Sequence, residues 1–295
     1  MSECEAYSQS LGLVMSREQL LESYMILGGI PYYWSLLKAR KSLSQNIDAL
    51  FFARNGKLTD EFDHLYASLF KKKSPYIEIV SALSKIRAGM SREELIQVLK
   101  IKTGGVLSSR LKELEQCGFI RKYCVPGKKV KDALYQLIDN YTIFYFKFIQ
   151  NNIGGDEHFW TSSIDAQFHR VWEGLAFERV VLQHVAQVKK ALEIGGVLSN
   201  VYSWRYQGEE GAQIDLVIDR RDNVINLCEI KFSGGEYVID KAYSKELKHK
   251  RDIFREQTKT RKAIHLTMIT MEGVKRNVYY DDIQSEVTSD QLFTY

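Results

Sequence analysis

The chain has few cysteines and no long apolar run, and these two absences exclude several classes of protein. Its 295 residues include four cysteines, and no two of them form a CxxC pair. Neither a zinc site of paired cysteines nor a disulfide framework is therefore predicted, and reduced thiols are expected. No apolar stretch approaches the roughly 20 residues that span a bilayer, and the first ten residues lack the pattern of a secretory signal. We expect a soluble cytoplasmic protein without a membrane segment.

Net charge is also low, but positive charge is concentrated in one segment. The formal net charge of the whole chain is +4, whereas residues 241 to 262 contain nine lysines or arginines against three acids. A basic helix is predicted at 241 to 258. Such a helix fits a polyanionic substrate such as nucleic acid. The alternative is an ordinary solvated helix face.

Two carboxylates and a lysine occur inside the apolar, strand-like runs at 213 to 219 and 224 to 232. Asp215 lies in the first run, and Glu229 and Lys231 lie in the second. Burying these runs takes the charges out of water, which costs several kcal/mol for each unpaired ion. A shared divalent cation with an ammonium group beside it offsets this cost and suits the hydrolysis of phosphodiesters. The alternative is an edge hairpin with a solvated charged face and a surface salt bridge.

Helix caps, turns and hydrophobic periodicity predict an α+β fold of three domains, in keeping with a chain too long for one core. Residues 1–73 are predicted to be a helical domain, closed by a lysine-rich linker. Residues 74–150 predict a winged helix: three helices, then strands at 119 to 124 and 132 to 139 around a basic tip. Lys128 and Lys129 in this tip are expected to contact phosphates. Winged helices bind DNA or dock proteins, and both alternatives stay open.

Residues 151–295 predict a mixed α/β sheet flanked by helices. The expected order is a long helix at 164 to 192, strands near 198 to 206, 213 to 219 and 224 to 232, the basic helix, and a strand at 263 to 270. Gln213, two residues before Asp215 on the same strand face, is predicted to hydrogen-bond a phosphate or a metal-bound water. Lys241, at the start of the basic helix, is predicted to contact the substrate backbone.

This order of elements, with Asp215, a 13-residue gap and then Glu229 and Lys231, resembles the core of the PD-(D/E)XK nuclease superfamily, the fold of many restriction endonucleases. The resemblance covers about residues 164 to 285. It implies that Asp215 and Glu229 hold Mg²⁺ or Mn²⁺ and that Lys231 positions the attacking water or stabilises the developing charge. It also implies that Glu178, on the first helix, completes the metal-binding set, with Glu173 as the alternative.

Longer stretches resemble the C-terminal part of prokaryotic AAA-type ATPases, also called DEXX-box ATPases. Among them are LGGIPYYWSLL at residues 27 to 37 and GAQIDLVIDRRDNVINLCEIKFS at residues 211 to 233. In that family a nucleotide-binding domain comes first and a helical lid with the GGIPYY segment follows, so residues 1–73 are interpreted as a lid remnant.

The chain lacks the loop with which such ATPases hold phosphate. This loop requires a Gly-Lys pair followed by Ser or Thr. The two Gly-Lys pairs, at residues 56–57 and 127–128, are followed by Leu58 and Lys129. We therefore expect no ATP site and no ATPase activity in this chain alone, and an ATPase domain or partner protein is expected beside it.

The sequence as a whole predicts a DNA-acting, metal-dependent nuclease-like portion of an AAA-type ATPase, with phosphodiester hydrolysis as the expected reaction. Two alternatives remain at this stage. One is a DNA-binding or regulatory module that keeps the fold without turnover. The other is a protein-docking module that binds no nucleic acid.

Overall fold

The computed structural model describes residues 1–101, 104–124, 133–152, 155–206, 208 and 211–294, which form two compact units. The N-terminal unit is Glu3–Trp172, and the C-terminal unit is Glu173–Tyr295 together with Met1–Ser2. Helices and sheets are both present, which confirms the α+β class. The predicted domain boundaries at residues 73 and 150 stay predictions. In the described part of the chain, no helix is long and apolar enough to cross a membrane.

Helices of the N-terminal unit begin where the sequence carries capping signals. Ser16, Ser42 and Ser91 each cap a helix through a reciprocal pair of hydrogen bonds with the residue three positions on. The helices are α1 (Ser2–Ser10), α2 (Arg17–Leu27), α3 (Pro31–Ser35), α4 (Leu43–Ile47), α5 (Glu61–Leu69), α6 (Ser74–Ser84), α7 (Arg92–Leu99), α8 (Gly104–Gln116), α9 (Asn140–Phe144) and α10 (Phe159–Ser162).

A small antiparallel sheet accompanies helices α6 to α8. Its strands are β1 (Met90–Ser91), β2 (Ile120–Tyr123) and β3 (Leu134–Leu137), in the order β1-β3-β2. Strands are therefore confirmed within both predicted ranges, although each is shorter than predicted. The basic tip between them, with Lys128 and Lys129, lies outside the described residues.

The core of the N-terminal unit is aromatic and is tied together by one buried carboxylate. Phe144 contacts Phe51, Trp160 and Trp172 with ring centroids 5.1–5.7 Å apart. Asp48 is buried, and its two oxygens accept hydrogen bonds from the backbone N–H groups of Trp160 and the next residue, at 2.8 and 3.1 Å. These bonds satisfy donors at the start of α10, and the Trp160 N–H would otherwise be buried without an acceptor.

The C-terminal unit contains a five-stranded mixed sheet in the described residues. The strands follow one another across the sheet in sequence order; the first three are antiparallel neighbours and the last three run parallel. The elements are α11 (Gln167–Gln183), of which residues from Glu173 onward belong to this unit, α12 (Val185–Ala191), β4 (Ser199–Tyr206), β5 (Ala212–Arg220), β6 (Val224–Lys231), α13 (Lys241–Thr258), β7 (Ala263–Thr270) and β8 (Ser285–Thr288).

The long helix predicted at 164 to 192 is wrong as a single element. It ends as α11 and resumes as α12, because His184 between them has non-helical dihedral angles (φ −112°, ψ 32°). The His184 side chain is buried; its Nδ1 lies 2.8 Å from the carbonyl oxygen of Val180, and its Nε2 lies 3.3 Å from the terminal amine of Met1. The contact with Met1 is long-range in sequence, and hydrophobic periodicity does not reveal it.

The alternative of a solvated edge hairpin is also wrong. β5 lies between β4 and β6, and β6 lies between β5 and β7, so both strands are internal to the sheet. Asp215 and Glu229 are only 7% and 3% exposed. The sheet therefore does take both carboxylates out of water.

Candidate functional site

Strand pairing brings the two predicted carboxylates side by side. In the antiparallel pair of β5 and β6, Leu216 is opposite Cys228 and Val217 is opposite Leu227. Asp215 and Glu229 occupy the next position along each strand, so their side chains leave the sheet as neighbours. Two carboxylates separated by 13 residues in sequence thus share one buried site.

A β-bulge positions Asp215. The register of β4 against β5 shifts between Tyr202 and Trp204, so Ser203 lies against the bulged part of β5. The Ser203 hydroxyl donates a hydrogen bond of 2.7 Å to the Asp215 carbonyl oxygen. Bulges of this kind turn a side chain out of the ordinary alternation of a strand and are frequent beside active sites.

The Asp215 side chain is anchored to the neighbouring strand. Its Oδ2 accepts a hydrogen bond of 3.1 Å from the backbone N–H of Ile230. This bond satisfies a main-chain donor of β6 next to Glu229 and holds the Asp215 carboxylate beside it. Both acids are consequently fixed by the sheet rather than by a loop, which is the arrangement that a precise site requires.

The surroundings of Glu229 shift its pKa upward. Burial and the neighbouring carboxylate of Asp215 raise the pKa of Glu229 to about 7, and the ammonium groups of Lys250 and Lys231 oppose this rise. Two like charges in a desolvated position cannot both ionise cheaply. The site therefore favours the arrival of positive charge, either a proton or a cation.

The two oxygens of Glu229 differ in their surroundings. Oε2 accepts a hydrogen bond of 2.6 Å from Lys250 Nζ, and the hydroxyl of Tyr243 lies 3.4 Å from it. Oε1 is buried and has no hydrogen-bond partner among the described residues. A buried carboxylate oxygen without a donor is costly. Its position is compatible with a ligand to a divalent cation.

Lys231 lies on the same strand face as Glu229 and is held by an aromatic ring. Its Nζ lies 4.8 Å from the centroid of the Tyr243 ring, within the range of a cation–π contact. Tyr243 belongs to the first turn of α13, and its backbone N–H donates to the capping side chain of Asp240. The helix start thus fixes the ring that supports Lys231.

The structure brings Asp215, Glu229 and Lys231 together. Glu178 is buried on α11, where Arg179 Nη1 lies 3.9 Å from its Oε1. Its part in a metal-binding set stays a prediction. Gln213 is half-buried on β5 and pairs with Arg205 of β4, and Lys241 is exposed at the start of α13.

Sequence reasoning did not assign Lys250, Tyr243 and Ser203 to the site. Lys250 was one of nine basic residues in its segment, and nothing in the pattern distinguishes it from the others. Helical spacing contains a signal: Glu246 and Lys250 are four residues apart, and the structure pairs Lys250 Nζ with Glu246 Oε1 at 3.0 Å. The contact with Glu229 depends on how α13 packs on the sheet, which sequence spacing does not give.

Several basic residues of the segment 241 to 262 form ion pairs within the C-terminal unit. Lys248 pairs with Asp282 at 2.8 Å and Lys262 pairs with Asp219 at 2.6 Å, in addition to the Lys250 pairs. Other basic side chains of the segment are exposed: Lys241, Lys245, Arg255, Lys259 and Arg261. Some basic side chains of the segment are therefore engaged in ion pairs within the unit, and the others present positive charge to solvent.

Comparison with known proteins gives one distant likeness. An uncharacterized protein of Methanocaldococcus jannaschii is 26% identical to the chain over 220 residues, which are 73% of this chain and 48% of that protein. The chain thus spans about half the length of the curated relative it matches. No protein-family model and no solved structure matches the chain. Function is therefore inferred from the geometry of the site.

Proposed function

We propose that the C-terminal unit is a metal-dependent nuclease-like domain that hydrolyses phosphodiesters, with DNA as the substrate. The observation that carries the proposal is the pair of buried carboxylates, Asp215 and Glu229, on adjacent internal strands. Oε1 of Glu229 is buried without a hydrogen-bond partner among the described residues. A buried pair of acids is expensive for a fold to keep unless its charge is used.

Asp215 and Glu229 are the residues that would hold Mg²⁺ or Mn²⁺, and Glu178 is proposed as a further acid of the set. Hard divalent cations prefer carboxylate oxygens of this kind. A bound cation supplies Lewis acidity toward a phosphoryl oxygen. Lys231, held over the Tyr243 ring, places a positive charge where it can orient a water molecule or stabilise the charge that develops on the phosphate.

The order of elements supports the likeness to the PD-(D/E)XK core. A helix is followed by three antiparallel strands, a second helix and a parallel strand, as α11, β4 to β6, α13 and β7. Asp215 lies in the second of these strands, and Glu229 and Lys231 lie in the third. This order of residues and elements supports the proposed likeness.

The exposed basic side chains of the segment 241 to 262 support a polyanionic substrate. Lys241, Lys245, Arg255, Lys259 and Arg261 are exposed in the same unit as the buried acids. Phosphate contacts from such residues supply most of the salt-dependent affinity for nucleic acid. Gln213 of β5 is proposed as a further substrate contact.

The N-terminal unit supports a placement within a larger ATP-driven system. Helices α6 to α8 and the sheet β1-β3-β2 follow the order of a winged helix, which is proposed either to bind DNA or to dock a partner. The preceding helices, with the GGIPYY segment, are proposed to be the lid remnant of an AAA-type ATPase. An ATPase domain or partner protein and a cytoplasmic location complete the proposal.

The ion pair between Lys250 and Glu229 favours a second candidate function. Because the ammonium group already neutralises this carboxylate, the site is able to keep its acids without a metal. The second candidate is a DNA-binding regulatory module without turnover. In that case the chain binds DNA in a salt-dependent manner and does not cleave it.

The test is nicking of supercoiled plasmid DNA by the purified chain in Mg²⁺ or Mn²⁺. Glu229→Gln removes the metal-binding charge at nearly constant volume, and Lys231→Met removes the ammonium group. Each is expected to lower the nicking rate by at least about a hundredfold, the size usual for loss of one transition-state contact. Glu256→Gln, at an exposed position of α13, is the matched control and is expected to cleave like the parent.

Equal nicking by the parent and by Glu229→Gln would contradict the proposal and indicate a contaminating nuclease or another site. Salt-sensitive DNA binding without nicking in either metal would support the regulatory module instead. The same preparations, measured by fluorescence anisotropy with a labelled duplex at 50 and 200 mM salt, separate these outcomes.

A further inference from the structure

The side chain of Lys250 lies where a cation would neutralise Glu229. Its Nζ is 2.6 Å from Glu229 Oε2 and 3.0 Å from Glu246 Oε1, and only 14% of the Lys250 side chain is exposed. The ammonium group therefore makes short contacts with one buried and one exposed carboxylate. Removing one partner of such a pair costs more than breaking a surface pair, because it leaves a buried charge uncompensated.

Lys250 is distinct from Lys231, the lysine that the resemblance places in the site. Lys231 is on β6 and rests on the Tyr243 ring, whereas Lys250 comes from the third turn of α13 and bonds directly to the carboxylate. The ammonium group thus occupies Oε2 of Glu229 and leaves Oε1 without a partner in the described residues.

We propose that Lys250 is the resident counter-cation of Glu229, which stabilises the metal-free site and sets how tightly a divalent cation binds. The inference rests on the proposed metal-binding function of the same site. With Lys250 present, an arriving cation meets Asp215 and Glu229 already partly neutralised. It also meets the repulsion of the ammonium group at short range. Lys250 is a positioning residue in this scheme, because it acts through Glu229.

The pairing with Glu246 indicates where the ammonium group goes when a cation binds. Glu246 is one helical turn before Lys250 and its side chain is 50% exposed. A small rotation of the lysine side chain away from Oε2 keeps the contact with Glu246 and releases Glu229. In this scheme the Lys250 side chain has two arrangements. In the metal-free site it contacts both Glu229 and Glu246, and in the metal-bound site it contacts Glu246 alone.

The experiment is isothermal titration of the full chain with MnCl₂ after treatment with chelator. Lys250→Met removes the charge. Lys250→Gln also removes the charge but keeps a hydrogen-bond donor for Oε2, and it is the variant to titrate if Lys250→Met fails to fold. Both are expected to bind Mn²⁺ at least about tenfold more tightly than the parent, which corresponds to about 1.4 kcal/mol. Lys245→Met, an exposed lysine of the same helix, is the control and is expected to stay within about twofold.

An equal or weaker Mn²⁺ affinity in the folded Lys250 variants would overturn the inference. Asp215→Asn separates this failure from failure of the proposed function. If the parent binds Mn²⁺ and Asp215→Asn does not, the proposed metal site is supported. If the Lys250 variants then bind Mn²⁺ with the affinity of the parent, the proposed role of Lys250 is wrong. If neither the parent nor the Lys250 variants bind Mn²⁺, both fall. Binding by the variants alone would support the inference.

Discussion

Removing the Lys250 ammonium group should strongly destabilise the metal-free protein. At the observed 2.6 Å between Nζ and Glu229 Oε2, the attraction of two unit charges is roughly 6 kcal/mol at an effective dielectric constant near 20. Desolvation of both groups offsets most of this attraction, so the net contribution of the intact pair is small. Lys250→Met nevertheless leaves a buried carboxylate beside a second one, and breaking a buried pair in this way costs about 3–5 kcal/mol.

A double-mutant cycle isolates the pair. Glu229→Gln combined with Lys250→Met removes both charges, so the double variant should lose much less stability than the two single losses added together. We expect a coupling of about 2–4 kcal/mol between the two positions, measured as the free energy of unfolding in urea with chelator present. Lys245→Met, with an exposed side chain on the same helix, is the control. If the stability losses of the two single variants sum to the loss of the double variant within about 0.5 kcal/mol, the two residues are not coupled and the prediction is wrong.

The same cycle has a predicted pH dependence. The folded-state pKa of Glu229 is raised to about 7, so the folded protein holds a proton at pH values where the unfolded chain has already lost it. Stability from this group is present at low pH and is lost as the pH rises toward and through 7. The parent should therefore be more stable near pH 6 than near pH 8, and Glu229→Gln should flatten this difference. An unchanged slope in the variant would assign the pH dependence to other groups.

Three further predictions concern single contacts. Tyr243→Leu removes the ring beneath Lys231 and should lower the rate of plasmid nicking about tenfold. Tyr243→Phe keeps the ring, and its nicking rate should stay within about threefold of that of the parent. Equal losses in the two variants would argue against the cation–π contact. Asp48→Ala leaves the buried N–H of Trp160 and the part-buried N–H of Thr161 without acceptors. It should cost about 2–4 kcal/mol in urea unfolding, and a loss below about 1 kcal/mol would contradict this. Gly89→Ala places a methyl group 2.4 Å from the Tyr135 carbonyl oxygen at φ +81° and should cost at least about 2 kcal/mol, so an unchanged melting temperature would be inconsistent with the described turn.

Much of the C-terminal unit follows from local sequence patterns. The basic helix over Lys241–Thr258 and the strand over Ala263–Thr270 are confirmed with their predicted bounds. Their periodicity is strong, Asp240 caps the helix, and the strand is a continuous apolar run. The short strand Ser285–Thr288 was not predicted, because four residues of mixed polarity carry little periodic signal.

The candidate site was predictable only in part, for a physical reason. Alternation within β5 and β6 identifies Asp215 and Glu229 as charges in apolar strands, and strand pairing then makes them neighbours. The donor that Glu229 actually contacts comes from Lys250, 21 residues later on a crossing helix. Helix packing selects this lysine among several in the segment. The break at His184, where the buried side chain contacts the terminal amine of Met1, was likewise not predicted.

The most direct test of the central claim is the anomalous scattering of Mn²⁺ in crystals of the full chain. The claim is that Asp215 and Glu229 form one cation site. We predict an anomalous peak between these carboxylates, about 2.0–2.3 Å from Glu229 Oε1, with the Lys250 ammonium group moved away from Oε2. Crystals soaked in saturating Mn²⁺ that show no peak there, or a peak only at other acidic groups, would contradict the claim.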